Sequence, residues 1–327
     1  MPTSLLRFVP GASALPGRRL HRVLVGVAAL LVLSEVAVRQ AGLVEFPLYV
    51  LDAEYGYAPA RNQSGAFLRR NRWTFNDIGL GVDATWEGNA RRNLLLVGNS
   101  IVLGGNPYDQ PDKLGPLLQR GVGPACAVWP VAAGGWTTVN EMSYLERHPE
   151  LAARADFVVW EVMPGQMGRA QLLTREWTHP TVAPGWATAY LVRKGLGERF
   201  VGPPAAPPPT PAQLEDGFRR FDAMLGRMAQ ASRRSPPGIV FLYPDRAQLA
   251  LARRGLEWAP ERARIEALAA ARRFLVVDVA RDGRWSEALY RDAVHPTPEG
   301  NAVLAAILRD AMNTPVEALC GTARPPG

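Results

Sequence analysis

The chain has 327 residues and a formal net charge of +7, with 47% hydrophobic, 20% charged and 8% aromatic residues. This ordinary globular composition excludes a disordered, collagen-like or disulfide-dense protein. Five arginines and one glutamate fall within residues 1–39, leaving 32 basic against 29 acidic residues beyond them, too small an excess for a nucleic-acid-binding surface.

In chain order, Arg18, Arg19, His21 and Arg22 precede an apolar run from Val23 to Leu33, which Val36, Ala37 and Val38 extend past Ser34 and Glu35. A membrane span needs ~20 predominantly apolar residues. Leu20 to Leu43 meets that length with Glu35 and Arg39 at one interface, and the basic cluster predicts a cytoplasmic N-terminus. We therefore expect a basic segment over 1–22 and a transmembrane anchor over 23–43. A cleaved signal peptide shares the pattern, but cutting after Ala37 or Ala41 would place Glu35 or Arg39 three residues before the cut, where small residues are preferred. The uncleaved anchor is preferred, a buried amphipathic helix being the remaining alternative. Both the anchor and the signal peptide export the rest of the chain. In a Gram-negative cell that makes it a single-pass inner-membrane protein with a periplasmic domain.

Residues 44–92 read as an irregular lead-in with one short strand at Trp73 to Phe75. From residue 93 the pattern changes. Leu94 to Val97, Phe157 to Trp160, Gly238 to Tyr243 and Phe274 to Val279 are short apolar runs without alternation, as expected of central strands in a parallel sheet covered on both faces. Helical patterns lie between them at Leu114 to Gln119, Val139 to Ala155, Pro211 to Arg233, Pro260 to Arg273 and Pro298 to Met312, several opening with Pro at a helix start. The alternation predicts an α/β doubly wound domain over 93–315, with a tail over 316–327. Gly202 to Pro211, with six prolines in ten residues, reads as an extended surface connection closing an insertion. Cys126 and Cys320 are either bridged in an oxidising compartment or two buried thiols.

In open α/β sheets the ligand site lies beyond the carboxyl ends of the strands. After the first run comes Gly98-Asn99-Ser100, which places a serine on a strand-to-helix turn with its own N–H free to face an oxyanion. Directly before the last helix stands Asp292-Ala293-Val294-His295-Pro296. Asp and His three apart on one turn can share a site. The carboxylate fixes the imidazole tautomer while the other ring nitrogen faces a nucleophile, which serine needs because its hydroxyl is weakly nucleophilic at neutral pH. His148 and His179 lack the spaced partners of a metal site and read as surface or packing histidines. No phosphate-binding glycine loop is present, and neither a metal nor an organic cofactor is implied. Trp129, Trp136, Trp160, Trp177 and Trp186 could offer flat faces to sugars, with core packing the leading role for most of them.

On these residues the chain resembles the SGNH or GDSL hydrolase family. Leu95-Leu96-Val97-Gly98-Asn99-Ser100 is similar to the family's first block, and Asp292 to Asn301, with its Pro and Gly after the histidine, to the last. Between them, Ala132-Ala133-Gly134-Gly135-Trp136-Thr137-Thr138 resembles the block that supplies an oxyanion N–H. The resemblance implies a flavodoxin-like three-layer α/β/α sandwich with a central parallel sheet. It implies Ser100 as nucleophile, His295 as base and Asp292 as its orienting group, with an oxyanion hole from the N–H groups of Ser100 and Gly135. Two positions depart from the pattern. Asn99 stands where the family has Asp, and Trp160-Glu161-Val162-Met163-Pro164-Gly165-Gln166 lacks the oxyanion Asn of the third block, leaving Gln166 as replacement amide donor. The Trp-Glu strand end also partly resembles SGNH-type proteins of alginate O-acetylation.

The function expected on this basis is a membrane-tethered serine esterase removing acyl groups, acetyl foremost, from a cell-surface or secreted polysaccharide or a small ester. A polysaccharide O-acetyltransferase with the same triad is the alternative, and a non-catalytic subunit associated with exopolysaccharide assembly proteins is the second. A lipase is disfavoured because no apolar lid pattern is present.

Overall fold

The computed structural model describes residues 17–86, 91–172, 177–200 and 207–321, without the side chains of residues 17 and 18. Half of the Gly202 to Pro211 connection, residues 202–206, therefore lies outside the described residues. The first element is α1 (Gly17–Gln40), whose apolar stretch is exposed along its length.

The segment expected to be an irregular lead-in instead holds two antiparallel hairpins, β1 (Tyr49–Asp52) with β2 (Gly56–Pro59) and β3 (Gln63–Phe67) with β4 (Asn71–Phe75). The short strand expected at Trp73 to Phe75 is the end of β4. The hairpins escape a periodicity reading because each strand has only four or five residues. Tertiary packing fixes them: Tyr57, Trp73 and Phe75 are buried in the main core.

The domain that follows is built on β5 (Arg92–Gly98), then α2 (Ser100–Leu103) and α3 (Leu114–Gln119), β6 (Cys126–Ala132), α4 (Thr138–Arg147) and α5 (Pro149–Ala153), and β7 (Phe157–Val162). The chain continues through α6 (Ala187–Phe200), α7 (Pro211–Ser232), β8 (Gly238–Leu242), α8 (Arg246–Arg253), α9 (Arg262–Ala271), β9 (Leu275–Asp278) and α10 (Pro298–Cys320). All neighbouring pairs in the sheet are parallel, in the order β6-β5-β7-β8-β9. Counted from its own first strand this is the 2-1-3-4-5 flavodoxin-like order. With right-handed crossovers, α3 and α10 pack together on one side, and α4, α5, α7 and α9 form a run of neighbours on the other.

Three apolar runs are strands for the reason expected: Leu94 to Val97, Phe157 to Trp160 and Ile239 to Leu242 are buried on both faces. The fourth, expected to be central, forms the edge strand β9, with Leu275 exposed and Val276 and Val277 only partly buried. Pro130 is tolerated within β6 because β6 is an edge strand, where a missing N–H breaks no internal ladder. The helix expected over Val139 to Ala155 is broken into α4 and α5 at His148, since Pro149 cannot continue a helix from within. Neither α6 nor α8 was marked by the sequence pattern. The residues set apart as a tail from 316 begin inside α10, which runs on to Cys320.

Cys320 is bridged to Cys126, tying the end of α10 to the start of β6 across 194 residues of sequence. A cross-link closing so long a loop removes much denatured-state entropy. Cys320→Ser should lower unfolding stability by about 2–5 kcal/mol, read as a shifted urea midpoint, and reductant should lower the wild type to the same value.

Two ion-paired residues fasten α1 to the domain. Glu35 accepts the first N–H groups of α6, from Ala187 (2.9 Å) and Thr188 (2.9 Å). Arg39 donates to Glu35 (2.7 Å) and to the carbonyls of Pro184 (3.0 Å) and Gly185 (2.9 Å). Arg69 donates to the terminal carbonyls of α1, Arg39 (2.8 Å) and Gln40 (3.0 Å).

Candidate active site

The strand order reverses beside β5, and the crevice beyond the carboxyl ends of β5 and β7 is where such sheets bind ligands. β5 ends at Gly98, where a Cβ would lie 2.5 Å from Val102 Cγ2 and 2.8 Å from Glu161 Oε2, so the turn admits only glycine. Asn99 then caps α2, its Oδ1 accepting from Ile101 N at 2.9 Å, and Ser100 is the first helical residue. The Ser100 N–H has no acceptor among the described residues.

His295 arrives from the loop before α10. Its Nε2 lies 2.9 Å from Ser100 Oγ and its Nδ1 3.0 Å from both carboxylate oxygens of Asp292. The carboxylate selects the tautomer with the proton on Nδ1, leaving Nε2 to accept from the serine. Asp292 Oδ1 also accepts the N–H of His295 (2.8 Å) and Val294 (2.9 Å). Partial burial alone would raise the Asp292 pKa, but these backbone donors and the His295 imidazole hold it well below the usual carboxylate range. The loop is fixed from outside: Tyr243 donates to Val294 O (2.8 Å), Tyr108 to Pro296 O, and Arg246 N to Ala293 O (2.9 Å). The structure thus brings Ser100, His295 and Asp292 into one hydrogen-bonded line.

Gly135 follows β6 with φ +79°, a conformation that favours glycine, and its N–H has no acceptor among the described residues. The Gly134-Gly135 turn lies beside α2, since a Cβ on Gly134 would sit 3.7 Å from Leu103 Cδ2. The carbonyl of Gly134 accepts two hydrogen bonds, from Tyr57 OH (2.9 Å) and His179 Nε2 (3.0 Å). Burial lowers the His179 pKa, keeping the ring neutral, and its Nδ1 faces Thr178 Oγ1 at 3.0 Å. His179 also packs on Tyr57 and Tyr49, with ring centroids 3.8 Å and 4.9 Å away. Packing, one of the two roles expected of His179, is thus joined by a hydrogen bond to the Gly134 turn, and Tyr57 carries no signal in the sequence.

Gln166 is placed differently from expectation. Its Nε2 donates to Met163 Sδ at 3.6 Å and its Oε1 faces Asn99 Nδ2 at 3.5 Å. These contacts set Gln166 beside Asn99, next to the nucleophile, with its amide N–H turned to the Met163 sulfur.

Asn99 has a physical reason. Its N–H donates to Glu161 Oε2 (3.0 Å) and its Nδ2 to Glu161 Oε1 (3.2 Å), with Glu161 fully buried at the end of β7. An aspartate at 99 would set a second carboxylate against that of Glu161. Glu141 is buried nearby and accepts from Trp160 Nε1 at 2.7 Å. Burial pushes Glu161 up to about 7, against the lowering effect of the Asn99 donors. Glu141 is raised too, by burial first and then by the Glu161 charge.

The folded state therefore holds protons that the unfolded chain releases above the ordinary glutamate value of about 4.5. The pair's contribution to stability is greatest below that value and is lost as pH rises toward about 7. Thermal unfolding midpoints should fall across this window and fall less steeply in Glu141→Gln. Equal slopes in the two proteins would show that Glu141 does not titrate in this window.

Most of the other singled-out residues serve packing, and Trp186 does not. His148 contacts Glu150 (3.3 Å) and stacks on Tyr144. Trp129, Trp136 and Trp160 are in the core, Trp177 is half-buried, and Trp186 is exposed.

No family model and no curated protein matches the chain. Among solved structures it is similar in fold to the crystal structure of TesA, with 16% identity and TM-score 0.41 over 68% of this chain and 99% of that one. It is similar to a catalytic mutant of Axe2, an acetylxylan esterase from Geobacillus stearothermophilus, with 14% identity and TM-score 0.40 over 68% and 94%. A structure described as a lipolytic protein of the G-D-S-L family from Desulfitobacterium hafniense aligns at 15% identity and TM-score 0.40 over 68% and 99%.

Proposed function

We propose that the chain is a membrane-tethered, exported serine esterase of the SGNH type, which removes acetyl groups from a cell-surface or secreted polysaccharide. The observation that carries the proposal is the Ser100–His295–Asp292 line, a nucleophile, a base of fixed tautomer and an ionised carboxylate in sequence. The N–H groups of Ser100 and Gly135, without acceptors among the described residues, supply the oxyanion donors. Ser100 Oγ attacks the ester carbonyl while His295 Nε2 takes its proton. His295 then returns that proton to the leaving sugar oxygen, and a water deprotonated by the same nitrogen releases acetate.

The side chains of His295 and Asp292 are about a third and nearly half exposed (34% and 45%). A site this open suits an ester carried on a bulky polymer and lets water reach the acyl-enzyme, which favours hydrolysis over transfer to a sugar hydroxyl. The assembled triad and its ionised Asp292 weigh against a non-catalytic subunit.

The tether rests on α1, whose apolar part from Arg19 to Gln40 is long enough to span a membrane. Cleavage after Ala37 would remove the carboxylate that caps α6, and cleavage after Ala41 would remove Arg39 as well, so these contacts support an uncleaved helix. The Cys126–Cys320 bridge suits an oxidising compartment.

The test is acetate release from an acetylated polysaccharide by the purified full chain, with and without added unacetylated oligosaccharide. Release unaffected by the acceptor is expected. Acetyl transfer to the acceptor would replace hydrolysis by transfer, faster turnover of long-chain esters would indicate a lipase, and no acyl chemistry on any of them would overturn the proposal.

A further inference from the structure

Six of the ten exposed large apolar side chains that the structure describes outside α1 fall between residues 172 and 200: Leu172, Val182, Trp186, Val192, Leu196 and Phe200. The last three belong to α6. Spaced i, i+4, i+8, they drift only about 80° around a helix and form one stripe. Each is more than half exposed (56%, 53% and 74%). One flank of α6 faces the domain: Tyr190 is buried with its ring 5.2 Å from that of Phe46, and a Cβ on Gly197 would meet the Trp177 ring at 2.7 Å. The apolar stripe is therefore the outer face, and Arg193 and Arg199 flank it on either side. A soluble domain gains nothing from such a face in water.

Its occupant follows from where α6 stands. The Gly185 carbonyl meets Arg39, Glu35 caps the N–H groups of Ala187 and Thr188, and the Thr188 hydroxyl meets Ser34 Oγ at 3.4 Å. The first turn of α6 therefore stands against the Ser34–Arg39 end of α1. With α1 crossing a bilayer and Arg39 at the interface, α6 begins at the headgroups. Its 14 residues measure about 21 Å, too short to span. A helix too short to span, with an exposed apolar stripe beside the interfacial end of α1, suits a position against the headgroup and acyl boundary.

We propose that α6 is a second membrane contact, an interfacial helix that seats Val192, Leu196 and Phe200 in a phospholipid surface beside the anchor. The contact continues the membrane face of α1 and rests on α1 being in the bilayer. Because α1 is fastened to the domain, a second contact through α6 would limit the tilt of the domain above the membrane.

The test reconstitutes the full chain in phosphatidylethanolamine–phosphatidylglycerol vesicles that carry a photoactivatable diazirine on an acyl chain, then maps labelled peptides by mass spectrometry. Label is expected on 19–36 and on 192–200, and not on the exposed Leu256, in the connection after α8, or Leu275 on β9. The double variant Leu196→Gln, Phe200→Gln should lose the α6 label while keeping the α1 label and ester turnover. Label confined to 19–36, or α6 joined to a second protein copy instead of lipid, would overturn the proposal. Absence of label on 19–36 would instead remove the anchor on which it stands.

Discussion

Replacing Ser100 with Ala is expected to abolish covalent labelling by a fluorophosphonate and to lower kcat for a small acetyl ester by about 10⁴–10⁶-fold, with KM little changed. His295→Ala should cost a similar factor, and combining the two should cost little more, because nucleophile and base act as one unit. Asp292→Asn tests the third member separately. It keeps the size of the side chain but presents an amide that can donate to Nδ1, which would fix the wrong tautomer and place a proton on the nitrogen that must accept from Ser100. A loss in kcat of about 10⁴-fold is expected. Asp292 also anchors its own loop through the N–H groups of Val294 and His295. Unchanged thermal unfolding would separate lost tautomer control from a displaced loop. Because those donors keep Asp292 ionised far below neutrality, its protonation cannot account for a fall in rate between pH 5 and 8. Turnover or labelling that survived in Ser100→Ala would sink the triad outright.

The parts of this site visible in the sequence share one property, that their chemistry is local. Burial on both faces strips strands of alternation, so Leu94 to Val97 marks both a central strand and the point where its next polar residues reach the crevice. Asp292 and His295 sit on one turn, where spacing alone predicts contact. What stayed hidden depends on partners far apart in sequence. Glu161 reads as a departure from a family block until the fold sets it against Asn99, which lies 62 residues away. Gln166 has the right chemistry for an oxyanion donor, yet the fold directs its amide to Met163. Tyr57 comes from a hairpin too short for periodicity to reveal, and His179 from the stretch between β7 and α7, where α6 was also missed. That helix holds Gly195 and Gly197, and its N-terminal cap is a carboxylate from another element, Glu35.

These two hidden residues should have the second large effect. The Gly134 carbonyl and the Gly135 N–H belong to one peptide plane and, in the trans form, point in opposite directions. Two donors on the carbonyl, Tyr57 OH and His179 Nε2, therefore aim the N–H as well as holding the turn. They also polarise the amide and strengthen it as a donor. An oxyanion donor matters most where charge develops, so loosening this plane should lower kcat while leaving KM nearly unchanged. Tyr57→Phe, which keeps the ring stacked on His179, and His179→Ala should each reduce kcat about tenfold, and the double variant about 100-fold, approaching the loss of the donor itself. His179→Gln restores an N–H toward the carbonyl and should recover most of the activity that His179→Ala loses. Affinity for a boronic acid, which mimics the tetrahedral adduct on Ser100, should fall in parallel with kcat/KM. A purely structural role predicts something else: lowered unfolding midpoints, no rescue by Gln, and boronate affinity that does not track the rate. Variants with unchanged kcat and raised KM would place Tyr57 and His179 in substrate binding and leave the Gly135 N–H without its support.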